Sequence, residues 1–163
     1  MVKIVTIGVY GFEEDMFFDT LQGAGVQVLV DVRWRRGVRG SDYAFANHKR
    51  LQARLEALGI VYIYRRDLAP SPEIRIKQMK ADAAEKVAKR KRQTLSPSFV
   101  ETYREGVLSS FDPQVFLEEL PQGTKVAALF CVEREPAACH RVLIADQLCA
   151  LEGVMVEHLF PHS

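Results

Sequence analysis

Short apolar runs alternate along the chain with longer segments whose apolar residues recur at helical spacing. The short runs are rich in β-branched residues and predict strands, whereas the helical spacing predicts amphipathic helices. The predicted strands span residues 2–9, 26–32, 60–64, 126–132 and 154–159. Their alternation with helices predicts a single α/β domain over residues 1–163, with a mainly parallel sheet of about five strands and helices on both faces.

The stretch from residue 124 to residue 151 combines a buried strand, a polar turn and a helix. Residues 126–132 form a continuous apolar run, which is typical of a central parallel strand that is buried on both faces. Glu133 follows, and Cys139, His140 and Arg141 fall near the first turn of the next helix, where free backbone N–H groups favour an anion or a thiolate. Because open α/β sheets bind ligands at the carboxyl ends of their strands, we expect the functional site here.

A second group of polar residues follows the predicted strand at residues 26–32. Asp31 and Arg33 lie at its carboxyl end, and Trp34, Arg35 and Arg36 begin a loop with four arginines. Asp31 has two interpretations: a turn residue whose carboxylate accepts nearby backbone N–H groups, or part of a site shared with residues 124–151. Arginine and tryptophan together have the chemistry to bind phosphate and to stack on a base.

Residues 73–95 are predicted to form a basic helical insertion or lid on the domain. Within residues 73–93 there are eight Lys or Arg residues against three acidic ones. A thin apolar stripe at helical spacing consists of Ile76, Met79, Ala83 and Val87. The helix is either an exposed, solvated face or a surface for an anionic partner.

Composition limits the classes to which the chain can belong. Hydrophobic residues make up 48% of the 163, which is enough for a real core. No apolar run approaches the length of a membrane span, and the N-terminal segment lacks the pattern of a signal peptide, so we expect no membrane association. The sequence has three cysteines, Cys131, Cys139 and Cys149. An odd number fits the reducing cytoplasm better than a disulfide framework. The net charge of +1 does not by itself indicate a partner.

Several short motifs together resemble one protein family. They are Thr6-Ile7-Gly8, Asp31-Val32-Arg33, Cys131-Val132-Glu133, Cys139-His140-Arg141 and the closing Val156-Glu157-His158-Leu159. Their order and spacing resemble the signature of the family named domain of unknown function 488 (DUF488) and cover nearly the whole chain. The resemblance implies a compact α/β domain of the prokaryotic cytoplasm and supplies no activity. The chain differs from the family pattern after Asp31-Val32-Arg33, where the family often has Pro and Ser and this loop has Trp34 to Gly37.

Thiol chemistry is one candidate activity of the 124–151 stretch. Cys139 lies near a helix N-terminus beside His140 and Arg141, surroundings that lower a thiol pKa. Cys131 is either an alternative nucleophile or a small buried hydrophobic residue. The cysteine-phosphatase loop has Arg six residues after its Cys, and here that position is Ala137, so this motif does not match. His140 is either a residue of the site's rim or a hydrogen-bonded structural residue.

Metal binding is a second candidate, and the spacing of the ligands argues against it. Cys131, Cys139, His140 and His158 have suitable side chains, but the sequence has neither a Cys-x-x-Cys nor a His-x-x-x-His pair. We therefore predict no metal site, and the sequence indicates no particular cofactor.

Anion recognition is the leading hypothesis. The arginines that could converge on one sheet edge are Arg33, Arg35, Arg36, Arg39, Arg65, Arg66 and Arg141, with Trp34 and Tyr43 available to stack. We predict an anion-binding pocket for a nucleotide or nucleic acid, with Glu133 or His140 as a proton carrier if the site is catalytic. One alternative is an enzyme that uses Cys139, His140 and Glu133 on a phosphorylated small molecule. The other is a non-catalytic module in which the same residues form a buried ion-pair network. The sequence leaves the oligomeric state open.

Overall fold

The computed structural model describes residues 1–86 and 93–162 of the chain. The strands are β1 (Lys3–Ile7), β2 (Val28–Asp31), β3 (Val61–Tyr64), β4 (Val126–Phe130) and β5 (Val156–Leu159). The helices are α1 (Glu14–Gly23), α2 (His48–Ala57), α3 (Pro72–Glu85), α4 (Pro97–Gly106), α5 (Pro113–Glu119) and α6 (His140–Glu152). Short 3-10 turns lie at Ser41–Ala46, Arg66–Leu68, Leu108–Ser110 and Pro136–Ala138. The predicted α/β architecture is confirmed.

The five strands form one parallel sheet in the order β3-β2-β4-β1-β5. The connection from β1 leads towards one edge of the sheet, where it enters β2. The connection from β4 leads towards the other edge, where it enters β5. Because such crossovers are right-handed, α1 and α6 cover opposite faces. The neighbouring carboxyl ends of β4 and β1 are therefore the topological switch point, the place where α/β sheets bind ligands.

The central strands are buried because helices cover both faces, as their continuous apolar sequences predict. On one face an aromatic cluster joins α1 to the sheet: the Phe17 ring lies 5.3 Å from Phe45 and 5.6 Å from Phe130, centroid to centroid. On the opposite face, Ile144 and Leu148 of α6 are completely buried. Each such side chain stabilises the fold by about 1.5–3 kcal/mol relative to its exposed state.

Three helices begin with the same local signal, a Ser or Asp followed by proline. Ser71, Ser96 and Asp112 each accept a hydrogen bond from a backbone N–H three residues later, and proline occupies the first helical position of α3, α4 and α5. Proline costs nothing there because its missing N–H would have had no helical partner. Pro97 is thus the first residue of α4 and Pro113 the first residue of α5.

The basic segment forms helix α3, which packs against α4. The Gln78 side chain is buried, and its oxygen accepts a hydrogen bond from the backbone N–H of Ser96 at 2.7 Å. The Lys77 ammonium group donates to the Thr102 hydroxyl at 2.9 Å. The helix ends at Glu85, with Lys86 in the left-handed conformation at φ 57°. Of the rest of the predicted helix, residues 87–92 lie outside the described residues, and residues 93–95 are not helical, so the prediction is wrong at its end.

The described part of the apolar stripe in this helix is exposed to solvent. Ile76 and Met79 are 46% and 61% exposed, and Ala83 is exposed as well. Ile74 and Gln78 are buried instead, and Ile74 lies beside Gly106 of α4. A polar residue takes the buried position because it closes a backbone hydrogen bond at the start of α4.

Within residues 1–86 and 93–162, no helix has both the length and the apolar character that a membrane crossing needs.

Candidate functional site

The residues at the carboxyl edge of the sheet fall into three groups. The first is a buried ion pair at the end of β2. The second is a cluster of two cysteines and a histidine between β4 and α6. The third is a surface of arginine and aromatic side chains beyond β2 and β3, which we call the arginine–aromatic surface and define as Trp34, Arg35, Arg36, Tyr64 and Arg66.

Asp31 and Arg33 form a two-pronged ion pair inside the protein. The Arg33 Nε and Nη2 atoms donate to the two Asp31 carboxylate oxygens at 2.9 and 2.8 Å, and Nη1 donates to the Ala46 carbonyl at 2.8 Å. The Arg33 backbone N–H also donates to Asp31 Oδ1 at 3.2 Å, so the turn interpretation of Asp31 is confirmed. The side chains are 0% and 1% exposed. The pair therefore fixes the start of the arginine-rich loop to the segment around Ala46.

Tyr62 connects this ion pair to the surface. Its hydroxyl group donates to Asp31 Oδ2 at 2.7 Å. Burial and the neighbouring Asp31 carboxylate raise the pKa of Tyr62, so its hydroxyl stays protonated. The neighbouring Tyr62 side chain raises the pKa of Arg36. Half-buried Arg36 thus lies next to the contact between Tyr62 and buried Asp31.

Arg141 holds the backbone at the switch point. It is 0% exposed; Nη1 donates to the carbonyl of Glu133 at 2.6 Å and Nη2 to that of Arg134 at 3.2 Å. Its Nε atom has no hydrogen-bond partner among the described residues. Gly8 fits beside this contact, with no space for a side chain between its backbone and Glu133. The predicted site residue Glu133 is itself buried at 6% exposure.

Cys131, Cys139 and His140 come together although seven residues lie between the first two. Cys131 directly follows β4, Cys139 is the N-cap of α6, and His140 is the first residue of that helix. The Nδ1 atom of His140 lies 3.8 Å from each of the two sulfur atoms. All three side chains are buried, with exposures of 5%, 2% and 5%. The Tyr103 ring covers the imidazole at 5.6 Å between centroids.

The cluster separates the pKa values of its two thiols. Burial raises the pKa of Cys139, but the hydrogen bond from Cys131 and the charges of His140 and Arg141 outweigh it, so this pKa lies well below its usual range. Burial and the Cys139 thiolate raise the pKa of Cys131 well above its usual range. Burial lowers the pKa of His140, but the Cys139 thiolate and the Val32 carbonyl more than compensate and raise it. These opposite shifts favour Cys139 over Cys131 as the thiol that ionises first.

The arginine–aromatic surface consists of two stacked pairs joined by a hydrogen bond. The Arg66 guanidinium lies 4.0 Å from the Trp34 ring centroid and that of Arg36 lies 4.3 Å from the Tyr64 centroid. The Tyr64 hydroxyl donates to the Trp34 carbonyl at 2.9 Å, so the two pairs are neighbours. Among the residues that the structure describes, no carboxylate lies within ion-pair distance of Arg35, Arg36 or Arg66.

The histidine next to this surface responds to its positive charge. His48 donates its backbone N–H to the Arg36 carbonyl at 3.0 Å. Burial lowers the pKa of His48, and the charges of Arg36, Lys49 and Arg33 lower it further. These neighbours make the surroundings of His48 electropositive.

Two residues expected at the same edge have other partners. Arg65 binds Asp67 and Glu119, at 2.9 and 3.3 Å. Tyr43 packs on Tyr10 at 5.3 Å between ring centroids, and its hydroxyl accepts the Gly11 backbone N–H at 3.2 Å. Their position in the sequence did not reveal these competing partners.

Sequence reasoning also missed residues that the structure brings to the site. They are Tyr62, Tyr64, His48 and Tyr103. Tyr62 and Tyr64 are two apart on β3, so strand periodicity already places both on one face, and this signal could have found them. Tyr103 could not be found in this way, because it comes from α4 and reaches the cluster only through the fold.

Two cavities lie elsewhere. A cavity of about 210 Å³ beside the end of β3 is lined by Arg65, Asp67 and residues of α5 and the turn before it. A larger one, of about 540 Å³, lies beside Val2 and the segment between α5 and β4. Neither is lined by the cysteines or by residues of the arginine–aromatic surface.

The fold and this edge define a parallel α/β domain with a polar, partly basic carboxyl edge. Residues 14–148 match the family model described as domain of unknown function DUF488. The match spans most of the chain, so the chain belongs to this family, as its motifs indicated. Comparisons with curated proteins and with solved structures returned no match.

Proposed function

We propose that this protein binds single-stranded nucleic acid through the arginine–aromatic surface, with a single nucleotide as a weaker ligand of the same chemistry. The observation that carries the proposal is the pair of stacks, Arg66 on Trp34 and Arg36 on Tyr64. Together they provide flat groups for bases and guanidinium groups for phosphates within one patch.

The charge of the arginine–aromatic surface supports nucleic-acid binding more strongly than its shape does. A guanidinium group without an ion-paired carboxylate can accept a phosphate without first losing a partner, and its planar fork matches phosphate oxygens. Each base that stacks on an aromatic side chain contributes about 1–3 kcal/mol, with little dependence on sequence. Arg35 and Arg66 are exposed, so a flexible strand can reach their guanidinium groups.

The buried groups support the surface from below. Asp31 receives hydrogen bonds from Arg33 and Tyr62. The Arg36 guanidinium stacks on the neighbouring Tyr64 ring, and this contact holds the side chain before a ligand arrives, which reduces the entropy cost of ordering it on binding.

Binding of labelled oligonucleotides tests the proposal. We expect micromolar or tighter affinity for a single strand at low salt, and at least ten-fold weaker binding by the variant Arg35→Gln/Arg36→Gln/Arg66→Gln. The matched control, Lys3→Gln/Arg104→Gln/Lys125→Gln, removes the same charge at other places and should change the affinity by less than about two-fold. Absence of binding by the wild-type protein, or equal losses in the two variants, would refute the proposal.

Trp34 provides a more specific prediction. The change Trp34→Ala removes a stacking surface and should weaken single-strand binding by about 1–3 kcal/mol, roughly five- to 150-fold. Trp34→Phe keeps a ring and should retain most of the affinity in the same fluorescence titration. If the alanine and phenylalanine variants bind equally well, bases do not stack on residue 34.

Catalysis on a phosphorylated small molecule is the second candidate, favoured by the proximity of Cys139 and His140 and by the low pKa of Cys139. Glu133 lies close to this cluster in the chain, on the loop that Arg141 holds. Phosphate release from a panel of nucleotides and sugar phosphates should then occur with the wild-type protein and stop in Cys139→Ser. If the wild-type protein releases no phosphate, the surface acts as a binding module without this chemistry.

A further inference from the structure

We propose that Cys131, Cys139 and His140 form a zinc site with one coordination position left for water or an exogenous ligand. The inference goes beyond nucleic-acid binding and contrasts with the expectation from the sequence, in which the spacing of these residues matched no zinc motif. The structure supplies what the spacing lacks, because the three ligand atoms all lie within 4.8 Å of one another.

The distances are close to those of a tetrahedral zinc site. With Zn–S of about 2.3 Å and Zn–N of about 2.0–2.1 Å, a sulfur and a nitrogen ligand lie about 3.6 Å apart. The two measured separations between sulfur and His140 Nδ1 are both 3.8 Å. Zinc would also require the two sulfur atoms, which lie within 4.8 Å of each other, to approach to about 3.8 Å, and rotation of the two cysteine side chains could bring them there.

The orientation of His140 is the second argument. Its Nε2 atom lies 2.7 Å from the Val32 carbonyl oxygen, which can only accept a hydrogen bond. Nε2 therefore carries the hydrogen, and Nδ1 points at both sulfur atoms. A metal-binding histidine typically donates its second N–H to a carbonyl or carboxylate in this way, which fixes the ring and its tautomer.

The site also has rigid support and low exposure. Cys131 follows a central strand, and the other two ligands begin a helix whose free N–H groups stabilise thiolates. Tyr103 covers the imidazole, and its hydroxyl donates to the Leu68 carbonyl at 2.6 Å. Within the described ranges the group contributes three ligands, the number typical of zinc sites that keep a position open.

Metal content and cobalt spectroscopy test the site in the full-length chain. We expect one zinc per chain by mass spectrometry after purification with added Zn²⁺. We also expect apoprotein that is reduced and then reconstituted with Co²⁺ to show thiolate-to-cobalt charge transfer and the strong visible bands of tetrahedral coordination. Zinc should raise the melting temperature of this apoprotein, because it binds the folded state.

The third cysteine provides the matched control. Cys149 lies on α6 but is exposed, so Cys149→Ser should keep one metal per chain, whereas Cys131→Ser and Cys139→Ser should lose stoichiometric binding. If those two variants fail to fold, the cobalt spectrum of the wild-type protein still shows whether thiolates bind the metal. Failure of the reduced wild-type protein to bind one Co²⁺ or Zn²⁺, or a cobalt spectrum without thiolate charge transfer, would overturn the proposal. Either result is independent of oligonucleotide binding.

Discussion

Replacing Asp31 with Asn should lower the free energy of unfolding by about 3–5 kcal/mol, because it leaves the Arg33 charge buried without its counter-ion. Arg33 is 2% exposed and cannot move to water without disrupting the segment that ends at Ala46. The asparagine would also lose one of the two carboxylate oxygens that now bind Arg33 with equal charge. Urea denaturation of the two proteins measures the difference.

The chain contains a matched control for this change. Asp67 and Arg65 have the same spacing, and the same pair of arginine nitrogens donates to the two carboxylate oxygens, both at 2.9 Å. The Asp67 side chain is 63% exposed, however, so water screens its charge. Asp67→Asn should therefore cost less than about 1 kcal/mol. Equal losses in the two variants would show that burial is not what makes the Asp31–Arg33 pair important.

Replacing Gly8 with Ala should destabilise the protein by about 1–3 kcal/mol or more, the cost of an overpacked interior. The added Cβ would overlap the Glu133 carbonyl oxygen, lie 2.7 Å from the Glu133 carbonyl carbon and lie 3.3 Å from Arg141 Nη1. These are backbone atoms and a guanidinium that is already bound, so neither can move without breaking a hydrogen bond. Thermal or urea denaturation measures the loss.

Gly23→Ala is the control for this second prediction. Gly23 lies at the end of α1, and an added Cβ would meet nothing within 4 Å. Alanine is the better helix former, so this change should be neutral or stabilise the protein by up to about 1 kcal/mol. If Gly8→Ala were equally harmless, the close approach of β1 and the Glu133 backbone would not be a constraint on the fold.

The sequence predicted the elements well because strands and helices depend on local patterns. The apolar run ending in Val132 is a central strand, and the Asp112-Pro113 signal starts a helix. Local patterns could not predict the order of the strands in the sheet, because the position of β4 between β2 and β1 depends on tertiary packing. The sequence also did not reveal that Gln78 is buried, because the neighbouring helix α4 determines which face of α3 packs.

The candidate site was predicted as a set of residues but not as an arrangement. Asp31 and Arg33 form a buried ion pair, Arg141 binds the backbone at Glu133, and the two cysteines and His140 form a separate cluster. The other predicted site residues, Trp34, Arg35 and Arg36, belong to the arginine–aromatic surface. Arg33 and Arg141 were predicted to bind an anion, and the structure shows their Nη groups donating to protein carbonyls, with Arg33 also bound to Asp31. Motif spacing could not reveal the contact of Cys131 with His140, because the turn between them depends on the whole fold.

The division of this edge into a buried support and a binding surface has a direct consequence. Variants of Arg35, Arg36 and Arg66 should weaken ligand binding while leaving the free energy of unfolding within about 0.5 kcal/mol of the wild type, as is usual for surface changes. At the same temperature, Asp31→Asn should instead have its main effect on the free energy of unfolding, which it should lower. Measuring both properties on each variant separates a binding group from a supporting one.

The salt dependence of single-strand binding tests the central claim most directly. For single strands the logarithm of the association constant falls against that of salt concentration with a slope of about −0.7 per phosphate contact. If Arg35, Arg36 and Arg66 each neutralise one phosphate, the wild-type slope should exceed that of the variant Arg35→Gln/Arg36→Gln/Arg66→Gln by about 2. Equal slopes would contradict the account, because the strand would then bind elsewhere on the protein.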